Sequence, residues 1–242
     1  MITEPSPALR AHIAHAGWAS TEVVLPPDDV DAIVADLQPA FTTAVGRGGV
    51  RNLLASDHTV QRLARVGPLR DLATAILGPE SGAVRALLFD KTPETNWKVV
   101  WHQDLSIAVD RHRPAPGYGP WSEKEGVTHV QPPAHILEQM LAVRLHLDDC
   151  TSDNGPVRVL PGSHRAGKLR PAAITEWRAR GTEVECCVPR GAVLLFRPLL
   201  LHASSPAQRP GHRRVLHLEF GPPAPGADLR WHTWVGLVGA AA

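Results

Sequence analysis

The feature that most restricts the fold is a succession of short strand-like segments, residues 84–89, 97–103, 141–147, 157–160, 184–188, 192–196 and 213–220, punctuated by turn-forming residues. This spacing predicts a mainly β architecture with flanking helices: a double-sheet jelly roll of the cupin kind, or double-stranded β-helix, with helices backing one sheet. At 242 residues and 43% hydrophobic content the chain can bury one sizeable core, so a single domain over 1–242 is expected, with the jelly roll at 84–220. The 23 Pro and 20 Gly suit loop-rich β structure.

Residues 1–80 read as mainly helical. Asp28 or Asp29 can cap a helix whose apolar positions are Val30, Ile33, Val34 and Leu37. A second helix runs through Leu69, Leu72, Ala73, Ile76 and Leu77, and Gly78-Pro79 stops it. Gly46-Arg47-Gly48-Gly49 lacks the Lys-Ser/Thr ending of a phosphate loop and reads as a plain turn. Residues 110–134 are rich in Pro and Gly and directly follow a candidate metal-binding strand. A loop of that length in a compact domain is expected to be functional, here as a lid over the site.

The chemistry lies in Trp101-His102-Gln103-Asp104 and in His202, far downstream in Leu199-Leu200-Leu201-His202-Ala203-Ser204. With 13 His and 24 Asp+Glu in the chain, His-x-Asp pairs arise by chance. Context raises this one: it ends the β-like run Trp97-Lys98-Val99-Val100-Trp101, and the distal His sits in an apolar run before a basic strand. On a strand, alternate side chains share a face, so His102 and Asp104 point at one ion while Gln103 points away. Two imidazoles and a carboxylate form the facial set of non-haem Fe(II) oxygenases, which leaves coordination positions open for chemistry.

An oxygenase of this type needs a cosubstrate to supply two of the electrons that reduce O2. 2-Oxoglutarate does so, and its far carboxylate must be held by a cation. Arginine suits that task through paired, charge-assisted hydrogen bonds. Arg213 is the candidate, with the Ser204 hydroxyl beside it. Period-2 alternation puts Arg213, Val215, His217 and Glu219 on one face, and Arg214, Leu216, Leu218 and Phe220 on the other. If the apolar face packs on helices or a second sheet, Arg213 faces the interior and Arg214 does not; a one-residue slip would reverse this.

These residues, together with Asp153-Asn154-Gly155-Pro156-Val157-Arg158-Val159-Leu160-Pro161-Gly162-Ser163-His164, resemble the phytanoyl-CoA dioxygenase family of Fe(II)/2-oxoglutarate oxygenases, which includes ectoine hydroxylases. The resemblance spans most of the C-terminal two-thirds. It implies that His102, Asp104 and His202 bind iron, that Arg213 and Ser204 bind 2-oxoglutarate, and that O2 is consumed as substrate is oxidised and succinate and CO2 are released. The Asn-Gly-Pro and Pro-Gly-Ser-His stretches read as tight turns, and His164 as structural. Because Asp104 is present, hydroxylation is preferred over halogenation; desaturation or cyclisation would begin with the same hydrogen abstraction. The alternative is a non-catalytic, cupin-like metal or ligand binder, for which Arg213 and Ser204 would have no purpose.

For substrate contacts, Arg144 and His146 alternate with Val143, Leu145 and Leu147 on one strand and can face either the pocket or solvent. Trp97, Trp101, Trp121, Lys91 and Lys98 lie near the motif in sequence, and Trp121 and Arg144 are the residues selected. A small free metabolite is the expected substrate. The formal charge of +1 gives no reason to expect nucleic acid. Cys150, Cys186 and Cys187 suggest neither a disulfide framework nor a cysteine zinc site. Met1-Ile2-Thr3-Glu4-Pro5 lacks the marks of a signal peptide and no run reaches membrane-span length, so a cytoplasmic location is expected, as monomer or dimer.

Overall fold

The computed structural model describes residues 7–43 and 49–236. In chain order its elements are α1 (Pro7–Ala16), β1 (Trp18–Val23), α2 (Pro27–Asp36), α3 (Gln38–Thr43), α4 (Leu53–Ser56), α5 (His58–Arg65), α6 (Pro68–Leu77), β2 (Gly82–Lys91), β3 (Val99–His102) and β4 (Ile107–Val109). There follow β5 (Trp121–Lys124), β6 (Val127–Val130), α7 (Ala134–Leu137), β7 (Leu141–His146), β8 (Val157–Val159), α8 (Pro171–Arg180), β9 (Val184–Cys186), β10 (Ala192–Phe196), β11 (His202–Ser204) and β12 (Arg213–Gly221).

A five-stranded sheet, β1-β10-β7-β12-β2, and a four-stranded sheet, β3-β11-β8-β9, form the two walls of the jelly roll. Every pairing within them is antiparallel. Alternation decides what each face of the larger sheet meets. Leu216, Leu218 and Phe220 of β12, Val143 and Leu145 of β7, and Val193 and Leu195 of β10 share one apolar cluster with Leu9 and Ile13 of α1, Val30 and Ile33 of α2, and Leu69, Leu72 and Ile76 of α6. Helices of ten residues are marginal alone, so this burial, about 1.5–3 kcal/mol per large apolar side chain, holds them in place. Between the sheets lie Ala142, Val157, Val159, Leu194 and Phe196. The remaining inner positions of β2, β7 and β12 mix the polar Arg85, Lys91, Arg144, His146, Arg213, His217 and Glu219 with the apolar Leu87, Phe89 and Val215, and they build the site.

Several expectations need correction. The N-terminal part is not helical throughout: β1 pairs with β10 as an edge strand of the large sheet, in keeping with the aromatic and β-branched residues of Trp18–Val23. The capping position of α2 is Pro26; Asp28 and Asp29 sit in its first turn, where negative charge complements the helix dipole. The segment 110–134 is not a continuous loop, because β5 and β6 form a hairpin that joins β4 in a three-stranded sheet. Its tight turn uses Glu125 and Gly126, both at positive φ. The readings at Gly46-Arg47-Gly48 and at Met1 to Pro5 lie outside the described residues. Among the described residues, no helix is long and apolar enough to cross a membrane.

His146, on the inner face of β7, is 1% exposed. Burial, and then the nearby Arg144 and Arg213, push its pKa well below the ordinary histidine value. Acid therefore protonates this imidazole in the unfolded chain first, near the ordinary value of about 6.5, and stability falls as pH drops below it. Replacing His146 with Leu is expected to flatten the pH dependence of the unfolding free energy between about pH 6 and 5 by up to ~1.4 kcal/mol per pH unit. Urea titrations across that range measure it, and an unchanged slope would contradict the assignment.

Candidate metal centre and its cavity

β3 and β11 pair so that His202 lies directly opposite His102, with ring centroids 4.2 Å apart. Each Nδ1 hydrogen-bonds a backbone carbonyl two residues earlier, His102 to Val100 at 2.8 Å and His202 to Leu200 at 2.9 Å. A carbonyl only accepts, so each Nδ1 carries the proton and each neutral ring presents an Nε2 lone pair. Both lone pairs face Asp104, with His102 Nε2 3.6 Å from Oδ1 and His202 Nε2 3.6 Å from Oδ2. Lone pairs set against a carboxylate are unfavourable unless a cation lies between them or a ring takes up a proton.

Burial holds the His202 pKa down to about 4, against the attraction of Asp104. At His102 burial also acts downward, but hydrogen bonding and charge from Asp104 outweigh it and raise the pKa. For Asp104 burial is opposed by His202, His102 and His217, which hold the carboxyl well below its usual range. The ligand atoms of the three residues lie within 4.8 Å of one another. An ionised carboxylate and imidazole nitrogens fixed with their lone pairs inward fit a divalent transition metal.

Asp104 lies two residues beyond the end of β3, and its backbone N–H donates to Pro198 O at 2.8 Å. Gln103 points away, as alternation predicts. Its amide donates to Leu199 O at 2.6 Å and Gly167 O at 2.8 Å, and its Oε1 accepts from Leu169 N at 2.8 Å. The residue between the two ligands therefore ties down the segments on either side.

Asp104 also falls into a second group, with His217 and Glu219. There Arg144 donates to His217 Nδ1 at 3.3 Å, the opposite Nε2–H donates to Glu219 at 3.4 Å, and Glu219 is paired with Arg85. Both His217 nitrogens are engaged, which makes this group a poorer metal site than the first.

A cavity of about 270 Å³ extends from the triad along β2 and β12. At one end Arg213, 3% exposed, donates to Gly155 O, and Lys91 Nζ donates to Ser205 O at 2.5 Å and Ser204 Oγ at 3.2 Å. Arg213 and Lys91 are direct cross-strand partners. Like charges opposite one another are destabilising, and more so when buried. Burial, then Arg213, lowers the Lys91 pKa to about 7. Arg144 also lines the cavity, and burial followed by Arg213 brings its pKa down to about 10. This concentration of positive charge fits an anionic ligand.

Arg213, Ser204 and Arg144 thus come together as the sequence suggested, and Arg214 lies on the other face, bound to Asp148 at 2.6 and 2.9 Å. Trp121 does not belong to the cavity wall: it packs in the cluster around Ile107 and Val130, 4.3 Å from the His112 ring. His164 lies away from the triad, with Nε2 3.2 Å from Ala14 O. Lys91, Arg85, Phe89, His217 and Glu219 line or adjoin the cavity but were not selected from sequence. Lys91 and Arg85 carried a usable signal, because both fall on the inward parity of β2.

The phytanoyl-CoA dioxygenase family model matches residues 14–215. L-proline trans-4-hydroxylase of Streptomyces griseoviridis is 24% identical over 253 residues, 89% of this chain and 87% of that protein. Peroxisomal phytanoyl-CoA dioxygenase of Mus musculus is 22% identical over 179 residues, 68% of this chain and 46% of the longer relative. Among solved structures, the α-ketoglutarate-dependent carbocyclase SnoK from nogalamycin biosynthesis superposes with a TM-score of 0.72 at 14% identity, covering 94% of this chain and 91% of its own. EctD from S. alaskensis with bound Fe gives 0.72 at 19% identity, covering 97% and 88%. The structural likenesses establish the shared jelly-roll fold.

Gly155 shapes the end of the cavity near Arg213: its φ is +72°, and a Cβ there would stand 2.5 Å from Ser205 O and 3.1 Å from Lys91 Nζ. Gly126 has a similar φ of +77° with open space around it. Gly126→Ala is expected to cost ~1 kcal/mol from backbone conformation alone, and Gly155→Ala ~2–4 kcal/mol because crowding adds to it. Denaturant unfolding of both variants tests this; equal losses would show that the close approach at Gly155 carries no weight.

Proposed function

The chain belongs to the phytanoyl-CoA dioxygenase family and is an Fe(II)/2-oxoglutarate-dependent oxygenase, and from that premise we propose that it hydroxylates an unactivated C–H of a small-molecule metabolite. In this reading His102, Asp104 and His202 hold the iron, and Arg213 and Ser204 hold the far carboxylate of 2-oxoglutarate with Lys91 beside them. Bound iron couples O2 reduction and 2-oxoglutarate decarboxylation to oxidation of the substrate. The observation that carries the assignment is the facing of both Nε2 lone pairs onto the two oxygens of one carboxylate, at 3.6 Å each.

The residues contribute placement and charge. The backbone carbonyls of Val100 and Leu200 fix both imidazole tautomers, so no proton has to leave His202 before metal binds. Arg213, locked by Gly155 O on a central strand, sets the depth of the cosubstrate, and Ser204 Oγ and Lys91 orient it. Phe196, 4.9 Å from the His202 ring, and Phe89 present apolar surface that limits water near the reacting atoms. Arg144 extends the polar wall toward the substrate. The small cavity and the kinship with a proline hydroxylase favour a small free metabolite over a bulky one.

Anaerobic titration with Fe(II) and 2-oxoglutarate should produce the weak visible charge-transfer band of the chelate. Asp104→Ala is expected to abolish that band and substrate-coupled succinate release; retention of both would overturn the ligand assignment. Arg213→Met should weaken 2-oxoglutarate binding by ~2–4 kcal/mol, roughly 30- to 1,000-fold, and Arg214→Met by far less. Equal effects would place the carboxylate elsewhere.

A further inference from the structure

The cavity carries more positive charge than one cosubstrate can engage. On its wall near the triad, away from Arg213, stand Arg85, Lys124 and Arg51, with Glu219 as the carboxylate among them. Glu219 is shared between Arg85 and His217. Among the described residues Arg51 reaches only Glu125, at 3.8 Å on the exposed side of the hairpin. Lys124 Nζ donates to Ser106 Oγ at 3.3 Å and has no carboxylate partner among the described residues. The buried Arg85 Nε likewise has no hydrogen-bond partner among them. Burial, and then Arg85 and Arg51, lower the Lys124 pKa, as expected of a crowded cation.

Strand geometry separates this pole from the first. Arg85 and Lys91 lie on the same inward face of β2, six positions apart, which is roughly 20 Å along a strand. The five-carbon chain of 2-oxoglutarate spans about 7 Å between its outermost oxygens. A molecule chelated at the triad with its far end on Arg213 therefore does not reach Lys124, which has no carboxylate partner among the described residues, nor Arg51, held only by a long exposed ion pair, nor the free Nε of Arg85, whose other nitrogen is paired with Glu219. Glu219, the cross-strand partner of Arg85, has a ligand atom within 4.8 Å of Asp104 and His217. The second pole thus adjoins Asp104 of the candidate metal site, at the far end of the strand pair from Arg213.

We propose that the substrate is a small carboxylic acid whose carboxylate is bound by Lys124, Arg85 and Arg51, with the oxidised C–H a few bonds away. This rests on the assignment of Arg213 to 2-oxoglutarate. Lys124 and Arg51 come from the β5–β6 hairpin and from the segment before α4, so an acid bridging them joins both to the sheet bearing Glu219. The limited cavity, already shared with the cosubstrate, favours a carboxylate over a bulkier phosphate ester.

Paramagnetic relaxation in the full chain loaded with Mn(II) and 2-oxoglutarate tests this without turnover. The probes are L-proline, pyroglutamate and benzoate, each paired with its carboxamide, and methylphosphonate. At least one acid is expected to relax ten times faster than its amide. The double variant Lys124→Met/Arg51→Met, which keeps the apolar stems, should remove at least nine-tenths of that enhancement, and Lys124→Glu should do the same. Acids and amides relaxing alike, no acid relaxing above a Zn(II) control, methylphosphonate alone relaxing, or variants that match the wild type would each overturn the proposal. The Fe(II)/2-oxoglutarate band, recorded on the same preparations, separates the two ideas. Its absence with a Lys124-dependent acid signal removes the cosubstrate assignment alone; its presence with charge-independent probe binding removes the second anion site alone.

Discussion

The site depends on one strand pairing. β3 and β11 meet so that two imidazoles face each other across a ladder, and both rings have their Nδ1 protons taken by their own backbone. That pairing turns two residues far apart in the chain into one electron-rich surface, which Asp104 completes. The free energy of bringing three lone-pair donors together without a proton between them is unfavourable in isolation. It is held by the jelly roll, whose five-stranded sheet, opposite the one that carries β3 and β11, buries its apolar outer face under α1, α2, α5 and α6, and a bound cation relieves it. The rigid side of the molecule therefore maintains a strained arrangement on the other side.

Charge on the inner surface follows the same division. Alternation along β12 sends Leu216, Leu218 and Phe220 into the helical layer and leaves Arg213, His217 and Glu219 facing the cavity. The same parity on β2 adds Arg85 and Lys91. Two antiparallel neighbours thus carry a cationic end at Arg213 and Lys91, a histidine near the middle, and an ion pair at Arg85 and Glu219. Lys124 and Arg51 beside that ion pair make the second end cationic as well, and a cavity with a candidate metal site between two such ends is suited to aligning two acids so that their reactive parts meet there. Catalytic direction would then arise from the sheet's period.

Much of this was legible before any coordinates. The jelly roll could be read from turn-punctuated strands, and the triad from a His-x-Asp pair at a strand end and a distant His before a basic strand. The parity of Arg213 against Arg214 could be read because polar and apolar residues alternate without a break from Leu216 to Phe220. What escaped had physical reasons. Residues 110–134 hold a hairpin whose strands are four residues each, and runs that short, set among Pro and Gly, give too little periodicity to separate from loop. Trp121 is near the triad in sequence, yet its side chain packs with Ile107 and Val130, and it is Lys124, at the other end of the same strand, that lines the cavity. Lys91 and Arg85 are, with Asp90, the charged positions of an otherwise apolar strand, and only the pairing with β12 shows that they stand opposite Arg213 and Glu219. Gly155 reads as a turn residue; its second task, close approach to Ser205 and Lys91, belongs to tertiary structure.

The central claim is that His102, Asp104 and His202 share one iron, in preference to the overlapping group of Asp104, His217 and Glu219. Crystals grown anaerobically with Fe(II) and 2-oxoglutarate, measured at the iron absorption edge, test it most directly. The account predicts one anomalous peak per chain, bonded to the Nε2 atoms of His102 and His202 and to the Asp104 carboxylate. A peak between His217 and Glu219, or none at full iron loading, would contradict it.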